Sequence, residues 1–127
     1  MKHYLLDSVI LIDHFNGQPA ATQFLLDNRE SVSISVITRA EVLTGFDPVS
    51  EVQAKAFLNL FTTHALTVED ADLAASLRRE HRWKLPDALQ AAMAINRQLT
   101  LATRNSKDFD PARHTFVVIP YRLEQGK

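Results

Sequence analysis

Tyr4-Leu5-Leu6-Asp7-Ser8-Val9-Ile10-Leu11-Ile12-Asp13 is the stretch on which the fold turns. His3 to Leu6 reads as a short buried strand, and Asp7 ends it. Ser8 is placed to cap a helix running through Val9-Ile10-Leu11-Ile12 toward Phe15, with Asn16-Gly17 as its stop. Strand, acid, cap and helix follow without a linker, which is how a unit of an α/β sheet begins.

The same grammar recurs along the chain. Val32-Ser33-Ile34 reads as a second strand, and Ser35 can cap a helix whose apolar face is Val36, Ile37, Ala40 and Leu43 and whose end is Gly45. A helix from about Pro19 to Asn28 separates these two units. Pro48 opens another, with Val52, Ala56, Phe57, Leu60 and Phe61 on its buried side, ending near Thr63-His64; Ala65-Leu66 follows as a short strand or connector.

Thr67-Val68-Glu69-Asp70 has the form of a capping box with Asp in place of Glu or Gln, ahead of a helix through Leu73, Ala74 and Leu77. Pro86 suits the first position of the next helix, which puts Asp87 in its first turn, where the helix dipole favours a negative charge. Ala88 to Ile95 is apolar on most sides, so this helix packs between other elements. Leu99–Thr103 and Phe116–Ile119 read as the last strands. Strands separated by helices predict parallel pairing with right-handed crossovers and a ligand site beyond the carboxyl ends of the strands.

The chain of 127 residues suits one domain with a core of its own. Composition is ordinary, with 46% hydrophobic and 23% charged residues, no internal repeat and no low-complexity linker. Cysteine is absent, which excludes disulfides, thiolate metal sites and cysteine nucleophiles. Only Met1-Lys2-His3 precede the first apolar run, and Asp7 interrupts it; neither a signal peptide nor a membrane span is expected, and the default is a soluble cytoplasmic protein.

A net charge of −1 argues, taken as an average, against a nucleic-acid partner. The average conceals an imbalance. Arg78, Arg79, His81, Arg82 and Lys84 fall just ahead of Asp87, and Arg104 and Lys107 flank Asn105. If carboxylates elsewhere bind metal, their charge is neutralised locally and the surround becomes more basic than the total implies.

Four carboxylates lie far apart in sequence where an α/β fold turns them toward one end of the sheet: Asp7, Glu41, Asp87 and Asp108. Like charges brought within a few ångströms repel, and a divalent cation offsets that repulsion. A metal-dependent hydrolase is therefore the first expectation. None of the five histidines has a ligand spacing such as HxxxH, so the donors expected are oxygens, which Mg²⁺ and Mn²⁺ prefer. Each acid also has a structural reading. Asp7 can be a strand-end acid facing a helix start, Asp87 a dipole-favoured residue, Glu41 a surface acid, and Asn105 with Asp108 a capping pair. Asp13, Glu51, Glu69, Asp70 and Asp72 read as solvated or capping residues, and Trp83 as partial core rather than a base-stacking platform.

The segments YLLDSVILID, TRAEVLTG, LPDALQAAMA and LATRNSKDF resemble those of PIN-domain proteins, and size and order resemble the small ribonuclease toxins of bacterial VapBC toxin–antitoxin pairs. The resemblance covers nearly the whole chain. It implies a three-layer α/β/α PIN-like domain over 1–127, with a central parallel sheet of four to five strands. It makes Asp7, Glu41 and Asp87 acidic site positions, with Asp7 and Asp87 the direct Mg²⁺ ligands and Mn²⁺ a substitute. A fourth position is Asn105 or Asp108, since relatives carry an acid either two residues after the Thr or, behind an Asn, three residues later. Ser8 keeps the hydroxyl of the family's first motif, whereas Val9 departs from it; Ser8 and Thr103 are expected to orient ligands.

What the resemblance implies in function is hydrolysis of RNA phosphodiester bonds by a metal-activated water, leaving 5′-phosphate and 3′-hydroxyl ends. Arg82, Lys84, Arg104 and Lys107 would meet RNA phosphates. It also implies a cognate VapB-like antitoxin and a homodimer. Two other readings share the sequence: a PIN nuclease of RNA maturation or DNA processing, and a non-catalytic RNA- or protein-binding α/β module. A response-regulator receiver fits less well, because the first strand lacks an acidic pair and no late strand-end Lys is present.

Overall fold

In a computed structural model that describes residues 2–123, the chain runs β1 (Tyr4–Leu6), α1 (Ser8–Phe15), α2 (Pro19–Asp27), β2 (Val32–Ser35), α3 (Val36–Thr44) and α4 (Pro48–Leu58). It continues β3 (Thr62–His64), α5 (Val68–His81), α6 (Leu85–Asn96), β4 (Thr100–Ala102) and β5 (Val117–Val118). The five strands form one sheet of order β3-β2-β1-β4-β5, and every pair is parallel.

Alternation along the strands divides the core in two. Leu5, Leu101 and Val117 point to the side that holds Ala74 of α5 and Ala88, Ala91, Ala92 and Met93 of α6. Leu6, Ala102 and Ile34 point to the other side, with Ile10 and Leu11 of α1, Leu25 of α2, Val42 of α3 and Leu58 of α4. Successive side chains on a strand face opposite ways, so a sheet apolar at consecutive positions must be covered on both faces. The result is the expected α/β/α arrangement, at five strands.

Strand order places the site. From β1 the chain builds outward through β2 to β3, and then returns to add β4 on the other side of β1. The crevice beyond the carboxyl ends of β1 and β4 is therefore a topological switch point, where open α/β sheets bind ligands. Asp7 follows β1 there and Thr103 follows β4, and the Asp7 amide donates to the Ala102 carbonyl at 2.9 Å.

Several local expectations need correction. Asp7, not Ser8, holds the cap position of α1, because β1 ends at Leu6 and the extended backbone of Asp7 makes the turn into the helix. α4 ends at Leu58 rather than near Thr63-His64, and the third strand is Thr62–His64 rather than Ala65-Leu66. β-Branched Thr62 and Thr63 pair with Ser33 and Ile34, which supplies a ladder that helix continuation would forfeit. The buried face of α4 is Ala54 and Leu58, while Val52 and Leu60 are exposed. The buried residues of α3 are Thr38 and Val42. Val36 and Ala40 face outward because a polar residue, Thr38, takes the inward position.

Thr38 is inward because it has partners. Its hydroxyl donates to the Leu6 carbonyl at 3.0 Å and accepts from the Gln90 amide. The carbonyl oxygen of Gln90 accepts from Ser35 Oγ at 2.8 Å, and Ser35 Oγ also caps α3 through the Thr38 amide. This closed network joins β1, β2, α3 and α6 across the core at the residue before Asp7. Replacing Gln90 with Leu leaves buried hydroxyls short of partners, so equilibrium urea unfolding should show a loss of roughly 1–3 kcal/mol. A loss within measurement error would mean that the network carries no net stability.

Candidate active site

Asp7 is nearly buried at 9% exposure, beyond the end of the central strand. Burial pushes its carboxyl above the usual carboxylate range, and hydrogen bonds pull in the opposite sense. The strongest of these comes from Thr103, whose hydroxyl, itself fully buried, donates to Asp7 Oδ2 at 2.6 Å. The Ser8 hydroxyl reaches Oδ1 only at 3.5 Å, at the outer limit of a hydrogen bond. Asp7 is thus aimed chiefly by the neighbouring strand, with the Ser8 amide of its own helix adding a smaller share.

Asp87 lies in the first turn of α6, half-buried. Its pKa is pushed from 3.8 to about 6, first by burial and then by the negative charges of Asp7, Asp108 and Glu41, with Lys84 opposing. Asp87 therefore feels the charge of the other three acids predicted from sequence. Glu41 and Asp108 are both exposed, so they flank the site from α3 and from the loop after β4.

That loop is built by its own hydrogen bonds. Thr103 Oγ1 accepts from the Asn105 amide at 3.0 Å while donating to Asp7. The Asn105 side chain donates to Asp108 Oδ2 at 3.1 Å and accepts from the Asp108 amide at 3.3 Å. Asp108 supplies charge to the cluster, and Asn105 holds the Asp108 carboxylate in place.

A second anchor fixes the loop to α1, through a residue that sequence reading took as solvated. Asp13 is 4% exposed and accepts two bonds from the Arg104 guanidinium, at 2.7 and 2.9 Å, and one from the Tyr121 hydroxyl at 2.7 Å. Burial and the Asp13 carboxylate hold the Tyr121 phenol well above its usual range. Arg104, predicted as an RNA contact, is thereby committed to an internal ion pair, whereas Lys107 and Lys84 are exposed and Arg82 lies at the end of α5. Asp70, also read as solvated or capping, completes the capping box with Thr67 but is fully buried and bonded to Arg97 and Asn96. The partner of each buried acid lies far away in sequence, so only tertiary structure reveals it.

The donor set at the switch point consists of carboxylate, amide and hydroxyl oxygens, with neither thiol nor imidazole. Such hard donors fit Mg²⁺ or Mn²⁺. Among the described residues no three carboxylate or imidazole groups are gathered closely enough to enclose an ion. An open set of this kind suits a cation held by one or two carboxylates that keeps several waters, which is the habit of Mg²⁺.

Residues 4–113 match the family model described as the PIN domain. The chain belongs to the PIN-domain family. It is 30% identical over 113 residues to a protein named Ribonuclease VapC19 of Mycobacterium tuberculosis, covering 83% of this chain and 90% of that protein. It is 33% identical over 108 residues to Ribonuclease VapC10 of the same organism, covering 80% and 81%. A solved structure titled as a toxin–antitoxin complex from Klebsiella pneumoniae superposes with a TM-score of 0.85 at 35% identity, over 94% of this chain and 99% of that one. A FitAcB structure from Neisseria gonorrhoeae shares the fold at a TM-score of 0.77 and 24% identity, over 92% and 97%.

The metal-free PIN domain should carry a pH signature of Asp87. A carboxyl whose pKa is raised in the fold keeps its proton where the unfolded chain has lost it. It therefore favours the fold at pH below the ordinary 3.8, and that contribution is lost as pH rises through about 6. The full displacement corresponds to about 3 kcal/mol, and solvent around a half-buried group reduces it to on the order of 1–2 kcal/mol. In chelator, Asp87→Asn should be more stable than wild type by that amount at neutral pH, with the gap closing as pH falls through the window. Thermal unfolding across pH checks this, and a gap independent of pH would contradict a carboxyl raised by burial and by its acidic neighbours.

Proposed function

We propose that this PIN domain is a Mg²⁺-dependent endoribonuclease and the toxin half of a VapBC-type toxin–antitoxin pair. The observation that carries the reading is the placement of Asp7 after β1 and Asp87 in the first turn of α6 at the switch point, with Glu41 and Asp108 near enough for their charge to reach Asp87. Two relatives carry the name ribonuclease VapC, and a neighbour 35% identical is titled a toxin–antitoxin complex.

In this reading Asp7 and Asp87 hold Mg²⁺, or Mn²⁺ in its place. When bound, the ion neutralises charge that builds on a phosphodiester and makes water a better nucleophile. The chain's own contribution is placement. Thr103 keeps Asp7 in one rotamer, Asn105 keeps Asp108 turned to the site, and Glu41 offers an exposed carboxylate that can orient water or accept its proton. The Asp13–Arg104–Tyr121 anchor holds the 103–108 loop against α1 and so fixes the distance between Asp7 and Asp108. Lys107 and Lys84, both exposed beside the acids, are available to RNA phosphates.

Water as nucleophile leaves 5′-phosphate and 3′-hydroxyl ends. A cognate VapB-like antitoxin would restrain the enzyme, and a homodimer is its proposed state. Exposed apolar residues on α4 support burial against a partner: Val49 is 84% exposed and Val52 69%.

The test is cleavage of a panel of structured RNAs by antitoxin-free protein, with Mg²⁺, with Mn²⁺ and with chelator. Wild type should cut only with metal, and Asp7→Asn and Asp87→Asn should each lose roughly 100-fold or more in rate. Cutting that persists in chelator, or products ending in 2′,3′-cyclic phosphate, would overturn the mechanism.

A further inference from the structure

Arginine in this molecule divides into two populations. Arg97 and Arg104 are each tied to a buried aspartate. Arg78, Arg79 and Arg82 form no ion pair with a carboxylate among the described residues, yet all three line one cavity of about 480 Å³. Ala75, Trp83 and Leu85 complete its lining, so no acid contributes to it. Three exposed guanidiniums around an apolar floor present positive charge with no acid lining beside them, and an anion complements such a surface.

The backbone adds a second observation. Arg82 closes α5 in the left-handed conformation, at φ +60°. Glycine is the usual residue at such a cap, and a residue with a Cβ costs roughly 1–2 kcal/mol there. The chain keeps a guanidinium where the backbone favours none, and strain of this sort gathers at binding sites. Its neighbour Arg78 is fixed in place, since Nε donates to the Trp83 carbonyl at 3.2 Å.

The cavity adjoins the acid cluster. Leu85 opens α6 two residues before Asp87, and the Trp83 ring packs on Phe109, the residue after Asp108, at 4.8 Å between centroids. Lys84 stands between, exposed, with its charge felt at Asp87. A polyanion lying over the acids and their metal would pass Lys84 and reach the three arginines.

We infer that the Arg78–Arg79–Arg82 cavity is a phosphate-binding subsite, which holds the backbone of single-stranded RNA one or more nucleotides away from the scissile bond. The inference rests on the nuclease reading above and assigns it a substrate track. Arginine forks suit phosphate oxygens, and the half-exposed Leu85 offers apolar contact to a sugar. An acidic protein segment is the competing ligand, and the position beside the acids favours RNA.

The test uses the double variant Arg79→Gln/Arg82→Gly, which leaves the Arg78–Trp83 bond intact and gives the left-handed cap the residue it prefers. Thermal stability should be unchanged or raised. In an Asp7→Asn background with chelator, binding of a short single-stranded RNA is measured over a salt series. Each lost phosphate contact removes about 0.7 from the slope of log affinity against log salt, so the double variant should lose about 1.4. In the active background KM for RNA should rise roughly tenfold, equivalent to about 1.4 kcal/mol, with kcat unchanged.

An unchanged slope and KM in a protein that still cuts RNA would overturn the subsite and leave the nuclease standing. Weakened binding of an acidic antitoxin peptide, with RNA binding intact, would likewise overturn it in favour of a protein contact. Wild type that neither binds nor cuts RNA would remove the nuclease reading and the subsite with it.

Discussion

A carboxylate buried beyond the end of the central strand is the constraint to which the other parts answer. Asp7 has little water to solvate it and, among the described residues, no ion-paired side chain; its strongest hydrogen bond comes from the Thr103 hydroxyl, delivered by the strand next to its own. That bond requires β1 and β4 to be adjacent and in register, which in turn requires the chain to return across the sheet after β3. The layers on each face, and the Gln90 network behind Leu6, hold that adjacency. The topology and the chemistry are thus the same arrangement seen at two scales.

Charge in this molecule is partitioned by role. Buried acids with a structural task are satisfied by arginine in two-pronged pairs, as Asp13 is by Arg104 and Asp70 by Arg97. Among the described residues the acids at the switch point lack such pairs, and the arginines around Trp83 lack acids. Opposite charges that the fold could have paired are left in two groups, one of carboxylates around Asp87 and one of exposed arginines beside Trp83. In the proposed function a divalent cation meets the first group and a phosphodiester backbone the second.

The large features were legible because they follow from periodicity and local chemistry. Apolar runs predicted β1, β2, β4 and β5, and the Thr67–Asp70 box and the Ser35 cap predicted helix starts that the structure contains, while Pro86 stands one place inside α6 rather than at its first position. The acids Asp7, Glu41, Asp87 and Asp108 were legible as strand-end or helix-flank residues, and their mutual influence required the fold. Errors arose where a polar residue did apolar work. Thr38 and Gln90 occupy core positions through hydrogen bonds, so a count of apolar residues placed the buried face of α3 on Val36 and Ala40 instead. Asp13 looked solvated because Arg104 and Tyr121 are remote in sequence. The α4 boundary was missed because Thr62 and Thr63 become a strand only when β2 is present to pair with them.

Calorimetric titration of Mn²⁺ into the metal-free protein, alongside Asp7→Asn and Asp87→Asn, tests the proposal that this open, oxygen-lined site holds a cation. The account predicts saturable binding by wild type, weakened in both variants, and a thermal stabilisation of wild type that grows with free metal. Wild type that binds no metal while folded, or variants that bind it as wild type does, would contradict the account at its centre.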